Sequence, residues 1–395
     1  MADRVYLDWN ASAPLRPEAR AAMIAAMDEV GNPSSVHAEG RRAKATVERA
    51  RAQVAALVGC DTSEVVFTSG ATEAIGAVFN QDWDATGCSA FEHDAVAIRS
   101  EVYAENSYAG PEMAFADHLG YFRYEHLVSG FGMASKPLKR GDKGYPQKAK
   151  GLFALCAASA ETGVVQPLSE VLNDFNGELD VSFRFTDATQ AVGKVPFNFG
   201  SIPAELGACS GHKIGAPTGV GALLVSSKCS LSFSSEGSGQ EQGRRAGTEN
   251  VSGIAGFGAA AEAAQRDLGN GEWDRVKEMR DGMEARIRDA ASDLIVFGES
   301  APRLPNTSCF AVPGWRGETQ VMQMDLAGFA VSAGSACSSG KVNKASRVLL
   351  AMGFDDITAS SAIRVSMGPT TKPEEVEAFA DAWIQSYRRW KQRAA

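Results

Sequence analysis

Apolar residues recur at helical spacing early in the chain. Between residues 38 and 58 they follow one another at steps of 4, 3, 4 and 3, at Ala43, Val47, Ala50, Val54 and Leu57. This spacing places them on one face of a helix. Gly59 follows directly and is a typical helix-ending residue. The pattern predicts an amphipathic helix over 38–58.

Short apolar runs alternate with helical patterns over the next two hundred residues. Such runs, which are typical of buried strands, occupy 64–68, 151–156, 181–186 and 221–226. Gly70 follows the first run and predicts a turn into a helix at Thr72. Strands that alternate with helices favour a mostly parallel α/β sheet.

The pattern changes after Gly253. A small-residue helix over 255–264 precedes a long amphipathic helix, whose predicted inner face is Trp273, Val276, Met279, Met283 and Ile287. A last helix is predicted from Pro373, with Val376, Phe379, Trp383, Tyr387 and Trp390 on one face. We therefore expect a domain boundary near residue 255. The basic, Gly- and Pro-rich stretch 129–150 is interpreted as an exposed loop.

Composition and charge limit the possible partners. The 395 residues are 44% apolar and carry a net charge of −9, which disfavours nucleic acid and anionic membranes. No run approaches the ~18 apolar residues of a membrane helix. Residues 1–10 contain no apolar signal core. We expect a cytoplasmic protein with no membrane or nucleic-acid partner.

Two polar clusters follow predicted strands. Ser69 and Thr72 lie where a helix N-terminus could bind a phosphate, although simple N-capping is the better explanation of these residues taken alone. Asp187 ends another strand, where α/β sheets bind ligands, and Gln190 follows three residues later. Asp187 could pair with a ring nitrogen, or could cap a helix; its position alone does not decide between these roles.

The sharpest local signal surrounds Lys213. This residue follows Ser210 and His212 and precedes a glycine-rich turn before a strand. A partly desolvated amine in a tight turn loses basicity and becomes a candidate for Schiff-base chemistry. The pattern therefore predicts a nucleophilic lysine.

One of the seven cysteines stands apart from the others. Cys337 lies among small polar residues in 332–340, whereas Cys156 and Cys209 follow apolar strand residues. Thiolate reactivity requires exposure, so Cys337 is the candidate nucleophile. The five histidines are isolated and no Cys-x-x-Cys pair occurs, which argues against a metal site. No feature links His93 or His212 to Cys337 as in a cysteine protease.

Taken together, these clusters resemble the cysteine desulfurases of the class-V aminotransferase family, which are pyridoxal-phosphate (PLP) enzymes of fold type I. The resemblance rests on the segments 6–11, 31–37, 67–73, 92–93, 161–163, 187–190, 210–213, 243–250, 335–337 and 363–364. The long loop around Cys337 is similar to that of the NifS/IscS-like branch. The resemblance implies a seven-stranded, mostly parallel sheet in a large PLP-binding domain of residues 15–255. Residues 1–14 and 256–395 would form a smaller α+β domain that carries the cysteine loop.

The resemblance also implies roles for individual residues. Lys213 would hold PLP, Asp187 would pair with its ring nitrogen, Gln190 would bond its hydroxyl, and His93 would stack on the ring. The implied phosphate ligands are Ala71, Thr72, Ser210, His212 and, from a neighbouring subunit of a homodimer, Thr248. Arg364 and Asn10 would bind substrate, with Arg364 gripping its carboxylate. Cys337, Lys213 and His93 would be the catalytic residues.

The implied reaction is desulfuration. L-cysteine would be converted to L-alanine, and Cys337 would receive the sulfur as a persulfide for an acceptor or scaffold protein, for iron–sulfur cluster assembly. The alternatives are a selenocysteine lyase, a small-molecule aminotransferase, or a catalytically weak PLP-binding scaffold protein. Cys337 disfavours the aminotransferase, which needs no thiol.

The chain departs from the family pattern in three places. Ser159 and Ala160 replace an Asn pair, and the loss of a buried contact would weaken substrate binding by roughly 1–3 kcal/mol unless Ser159 compensates. Asp94 stands where Pro is common. The segment 100–150 matches poorly, so its function stays open.

Overall fold

A computed structural model describes residues 4–83, 85–106, 112–114, 151–174, 181–230, 237, 239–334 and 345–394. Cys337 and the predicted loop 129–150 lie outside the described residues. Within them, no helix is long and apolar enough to cross a membrane.

The described strands are, in chain order, β1 (Val5–Tyr6), β2 (Val65–Thr68), β3 (Ala85–Ser89), β4 (Glu112–Ala114), β5 (Gly151–Ala154), β6 (Val181–Asp187), β7 (Leu206–Ser210), β8 (Gly221–Val225), β9 (Ile295–Val296), β10 (Thr307–Ala311), β11 (Phe329–Ala330), β12 (Ser332–Ala333) and β13 (Ala362–Ser366). The described helices are α1 (Pro17–Met27), α2 (Ala38–Val58), α3 (Ala71–Phe79), α4 (Asp94–Asn106), α5 (Leu168–Asp174), α6 (Val251–Gly269), α7 (Glu272–Ala290), α8 (Gly317–Leu326), α9 (Arg347–Ala351), α10 (Asp356–Ser360) and α11 (Pro373–Ala394).

A seven-stranded sheet forms the centre of the described structure. Its strand order is β2-β8-β7-β6-β5-β3-β4, and β8 runs antiparallel to both of its neighbours. The remaining pairs are parallel. The prediction of a mostly parallel α/β sheet is therefore confirmed.

The helix predicted over 38–58 is confirmed as α2. Its last residue is followed by Gly59, whose φ of 66° lies in the left-handed region that glycine adopts without strain. The five residues of the predicted face are buried. Helix α2 packs against α6, so this face covers one side of the central sheet.

Helix α6 belongs to the larger core. Ile254, Phe257, Ala260 and Ala264 are buried there together with residues of α2 and the sheet. Residue 255 lies inside this helix, so a boundary at 255 would divide it. The division into 15–255 and the two flanking segments stays a prediction.

A second core forms around a four-stranded antiparallel sheet with the order β12-β13-β10-β9. Helices α7 and α11 cover it through the predicted apolar faces, including Trp273, Ile287, Phe379 and Trp383. Strand β1 pairs in parallel with β11, and Leu7 is buried in this second core. The start of the chain therefore packs with its C-terminal part.

A buried ion pair anchors the segment that leads to Thr248. The guanidinium of Arg51 donates two hydrogen bonds to Glu241, at 2.7 and 3.0 Å. Glu241 also accepts the backbone N–H of Phe67 at 2.7 Å, and its own φ is 47°. This strained, non-glycine conformation persists because α2 and β2 hold the carboxylate on both sides.

Candidate active site

A cavity of about 620 Å³ opens where β6 and β7 end and α3 begins. This is the edge at which α/β sheets bind ligands. Ten of the predicted site residues line it: Asn10, Ala71, Thr72, His93, Asp187, Gln190, Ser210, His212, Lys213 and Arg364. They come from six separate parts of the chain, so the fold brings together residues that the sequence only suggested.

One end of the cavity is suited to a phosphate. Helix α3 begins at Ala71, and the unpaired N–H groups of a helix N-terminus attract anions. A Cβ at Gly221 would lie 2.7 Å from the Cα of Gly70, so only glycine allows β8 to pass this close. Ser210 lines the same cavity.

His212 lies beside this end, within 3.3 Å of the Ser12 hydroxyl. Burial is the main cause that lowers the pKa of His212 to about 4, and the positive charges of Lys213 and Lys194 lower it further. The imidazole is therefore neutral near pH 7 and can serve a phosphate by a hydrogen bond but not as a cation.

Asp187 is the last residue of β6, and Gln190 follows it at the floor of the cavity. One carboxylate oxygen of Asp187 accepts the backbone N–H of Thr189 at 2.9 Å. Asp187 is 7% exposed and Gln190 is 5% exposed, so both are shielded from bulk water. His93 is exposed, and its Nδ1 accepts the N–H of Ala95 at 3.1 Å. A shielded carboxylate at this position can stabilise a protonated ring nitrogen.

Lys213 is the last residue of a short 3₁₀ turn, Gly211–Lys213, that follows β7. Its Nζ donates to the backbone carbonyls of Asn10 at 2.6 Å and Ala11 at 2.9 Å. Gly215 closes the turn with a φ of 84°, and a Cβ there would lie 2.6 Å from the Cγ of Arg16. The turn thus requires glycine and keeps the amine at the cavity wall.

Arg364 occupies β13, where its side chain is 4% exposed. Its guanidinium donates to Asp8 at 2.8 Å and to the backbone carbonyl of Ala160 at 3.0 Å. All three residues line the cavity. A carboxylate bound by Arg364 would therefore share the guanidinium with Asp8.

Ser159 does not face the cavity, unlike Ala160. Its hydroxyl accepts the N–H groups of Glu161 and Thr162, both at 3.3 Å. Because these bonds cap the local turn, nothing in the described contacts favours the idea that Ser159 compensates for the missing Asn. Asn10 is also bound to protein, with its Nδ2 donating to Thr307 at 2.9 Å.

Among the described site residues, Thr248 lies outside the lining of this cavity. Thr248 is exposed and lines a neighbouring cavity of about 210 Å³, which shares Ser69 and Gly219 with the first. Cys337 lies outside the described residues. The roles assigned to both stay predictions.

The six described cysteines behave as packing residues. Cys88, Cys156, Cys209 and Cys309 are buried, and Cys60 and Cys229 are partly buried. Burial raises the pKa of Cys60 and of Cys209 to about 12, and that of Cys156 well above its usual value. Thiols with such pKa values are poor nucleophiles near neutral pH.

Two side chains that support the site carry no local signal in the sequence: Lys194 donates to Gln190 and Asn10, and Asp8 pairs with Arg364. Asp8 lies in one of the segments that carry the resemblance, whereas Lys194 lies outside them. The contacts of Lys194 with Asn10 and of Asp8 with Arg364 join residues 184 and 356 positions apart, which no local pattern can indicate. Among the described residues, no group of three or more His, Cys, Asp or Glu could hold a metal ion.

Glu92 is a buried acid behind the cavity wall. Its Oε1 accepts the hydroxyl of Ser89 at 2.7 Å and the N–H of Cys156 at 2.5 Å. Its Oε2 is buried and has no hydrogen-bond partner among the described residues. Burial, together with the negative charge of Asp187, raises the pKa of Glu92 to about 7.

This raised pKa predicts a pH-dependent stability. Between about pH 4.5 and 7 the folded protein keeps the Glu92 proton while the unfolded chain releases it, so the free energy of unfolding falls as pH rises. Glu92→Gln should remove roughly 2–3 kcal/mol of this fall. Urea unfolding of both proteins from pH 5 to pH 8 measures the difference. If the free energy of unfolding depended on pH equally in the two proteins, the prediction would be contradicted. Glu161, whose pKa is also raised to about 7, is present in both proteins, so its contribution cancels in the comparison.

The cavity matches the parts of PLP in turn. The start of α3 and Ser210 suit its phosphate, Asp187 suits its ring nitrogen, and Lys213 is placed to bond its aldehyde carbon. A Cβ at residue 221 would collide with the backbone of Gly70, which lines the cavity beside the start of α3. This fold and site define a PLP-dependent enzyme of fold type I.

Comparison with known proteins gives the family. The chain matches the aminotransferase class-V family over residues 5–97 and 145–379, and it belongs to this family. It is 38% identical to a cysteine desulfurase of Cereibacter sphaeroides over 390 residues, which cover 95% of this chain and 93% of that protein. It is 32% identical to the cysteine desulfurase IscS of Dictyoglomus turgidum, over 96% of this chain and 94% of the relative. A solved structure of a NifS-like protein from Rickettsia africae superposes with a TM-score of 0.83 at 28% identity, covering 98% of this chain and 99% of that one.

Proposed function

We propose that this protein is a PLP-dependent cysteine desulfurase that converts L-cysteine to L-alanine and transfers the sulfur to Cys337. The observation that carries the proposal is the convergence of Lys213, Asp187 and the start of α3 on one cavity that Arg364 also lines. Near-full-length similarity to two proteins named cysteine desulfurase supports the choice of substrate.

The residues that line the cavity have separate roles in binding substrate and cofactor. Arg364 binds the substrate carboxylate, with Asn10 beside it, and Asp187 and Gln190 orient the cofactor ring. His93 lies at the exposed side, where it can stack on the ring and move a proton. Ala71, Thr72, Ser210 and His212 hold the phosphate. Bound PLP supplies an electron sink for negative charge at the substrate Cα.

Lys213 removes the Cα proton of L-cysteine and later returns protons to the carbon skeleton. The Cys337 thiolate attacks the substrate sulfur, so a sulfur–sulfur bond forms as the carbon–sulfur bond breaks. Electron pair and proton go to the departing three-carbon fragment, which leaves as L-alanine. The balance is one L-cysteine and one thiol giving one L-alanine and one persulfide. An acceptor or scaffold protein then takes the sulfur for iron–sulfur cluster assembly.

The test is to incubate the holoenzyme with L-cysteine and a thiol reductant and to measure alanine and sulfide. Equal amounts of both are expected. Parallel reactions with L-selenocysteine and with L-alanine plus a 2-oxo acid test the lyase and the aminotransferase. Amino-group transfer without sulfide release would overturn the proposal, and no product from any substrate would favour a scaffold protein.

We also propose a homodimer in which Thr248 reaches the phosphate bound by the neighbouring subunit. Thr248 is exposed, and the Arg51–Glu241 pair holds the start of its segment. Exposed apolar side chains concentrate near α1, at Ile24, Met27, Val30 and Val36. Sedimentation equilibrium should give twice the mass of 41.7 kDa; a monomer mass would refute the dimer. We also propose a cytoplasmic location, because thiols such as Cys60, Cys156 and Cys209 stay reduced in that compartment.

A further inference from the structure

Lys194 is a buried lysine behind the cavity that the proposed reaction does not use. It is 3% exposed, and its Nζ donates to Oε1 of Gln190 at 2.6 Å and to Oδ1 of Asn10 at 3.1 Å. Among the described residues, no carboxylate lies within 4 Å of this amine. Burial, followed by the charges of Lys213 and Arg364, lowers its pKa well below the usual value. Burial of an amine costs free energy unless hydrogen bonds compensate, and the bonds to Gln190 and Asn10 supply that compensation.

The contact with Lys194 and a second bond to the Asn10 carbonyl together fix which end of the Gln190 amide faces the cavity. A side-chain amide has an accepting oxygen and a donating NH₂ group, and a half-turn exchanges them. Two N–H groups of Lys194 donate to the side-chain oxygens of Gln190 and Asn10. The Gln190 oxygen therefore faces Lys194, and the Gln190 nitrogen faces away from it. The nitrogen donates to the backbone carbonyl of Asn10 at 3.0 Å. Its second N–H has no hydrogen-bond partner among the described residues, and Gln190 lines the cavity.

Asn10 is oriented in the same way. Its Oδ1 accepts from Lys194 and from the amide of Asn306 at 3.0 Å, so its own nitrogen turns to Thr307. The backbone carbonyl of Asn10 accepts the Nζ of Lys213 at 2.6 Å. Lys194 therefore supports both the amide at the cavity floor and the residue that holds the reactive lysine.

We propose that Lys194 is a positioning residue that orients the Gln190 amide so that an N–H donor faces the phenolic oxygen of bound PLP. The proposal rests on the proposed function, in which Gln190 serves that oxygen. Without Lys194 only the bond to the Asn10 carbonyl holds the amide, so a larger share of molecules has the amide turned, with its oxygen repelling the deprotonated phenolic group. Lys194 acts through Gln190 and does not touch the cofactor.

A double-mutant cycle tests this inference. Wild type, Lys194→Met, Gln190→Met and the double variant are loaded with PLP, and the visible absorbance of the bound cofactor is titrated with pH. The N–H donor favours the deprotonated phenolic oxygen, so its loss should raise the midpoint in each single variant by about 0.5–1 pH unit, the size of one hydrogen bond. The double variant should match Gln190→Met, because Lys194 has no amide left to orient.

Additive shifts would overturn the inference, since they would show that the Lys194 charge acts on the cofactor directly. An unchanged midpoint in Lys194→Met would also overturn it. Lys228→Met, at an exposed lysine after β8, is the matched control and should titrate like wild type. Thermal midpoints of the apoproteins report folding. Lys194→Leu, which also lacks an N–H donor, enters the cycle if the methionine variant does not fold, and non-additivity is again required.

The two proposals fail separately. Wild-type protein that makes no alanine from L-cysteine overturns the proposed function, whereas the absorbance cycle still shows whether Lys194 acts through Gln190. An active wild type with additive shifts overturns only the role of Lys194.

Discussion

Replacing Lys213 by alanine is expected to lower the rate of alanine formation from L-cysteine by about 10³-fold or more. The variant loses the amine that removes the Cα proton, a step for which a positioned base contributes about 10²–10⁴-fold. It also loses the covalent attachment point for the cofactor, because the turn Gly211–Lys213 presents this amine at the cavity wall. Both losses follow from the same substitution, and added L-cysteine supplies neither the base nor the attachment point.

The measurement combines initial rates with borohydride reduction of the holoenzyme. Wild type should carry reduced cofactor on the peptide that contains Lys213, and Lys213→Ala should carry none. Lys228→Ala removes an exposed lysine elsewhere and should keep wild-type rates and labelling. Cofactor trapped on protein in Lys213→Ala would contradict the assignment.

Replacing Cys337 by alanine is expected to abolish the protein-bound persulfide and to lower alanine formation at least about 10²-fold. Cleavage of the substrate carbon–sulfur bond needs a nucleophile that accepts the sulfur, and nucleophiles of this kind act as thiolates. The described cysteines offer no replacement, since burial raises the pKa of Cys60 and Cys209 to about 12. Wild-type activity should also fall toward acid pH as the thiolate fraction declines.

Alanine is quantified together with cyanide-releasable sulfur, and the sulfur is located on a peptide by mass spectrometry. Cys60→Ala, at a partly buried cysteine outside the cavity, is the matched control and should retain both activities. Equal alanine production by wild type and Cys337→Ala would exclude the persulfide role.

Local patterns predicted those elements whose causes are local, among them α2, α7, α11, β6 and β8. The 4, 3, 4, 3 spacing in α2 and the left-handed glycine that follows it depend only on neighbouring residues. The apolar runs that became β5, β6 and β8 ended within two residues of the structural bounds. The predicted boundary at residue 255 rests on a change in the residue pattern along the chain. Such a change does not reveal that α6 packs on α2.

The sequence by itself determined the parts of this protein that one segment defines: the helices, the strands, the reactive lysine in its turn, and the motif set that implied the family. The tertiary structure alone decided which groups meet. Lys194 contacts Asn10 across 184 positions, and Arg364 meets Asp8 across 356. The pKa values of Glu92 and His212 also depend on burial by distant segments. These contacts and electrostatic effects arise only when the chain folds, because charges and hydrogen bonds act between residues that are close in space. They leave no periodic pattern along the sequence.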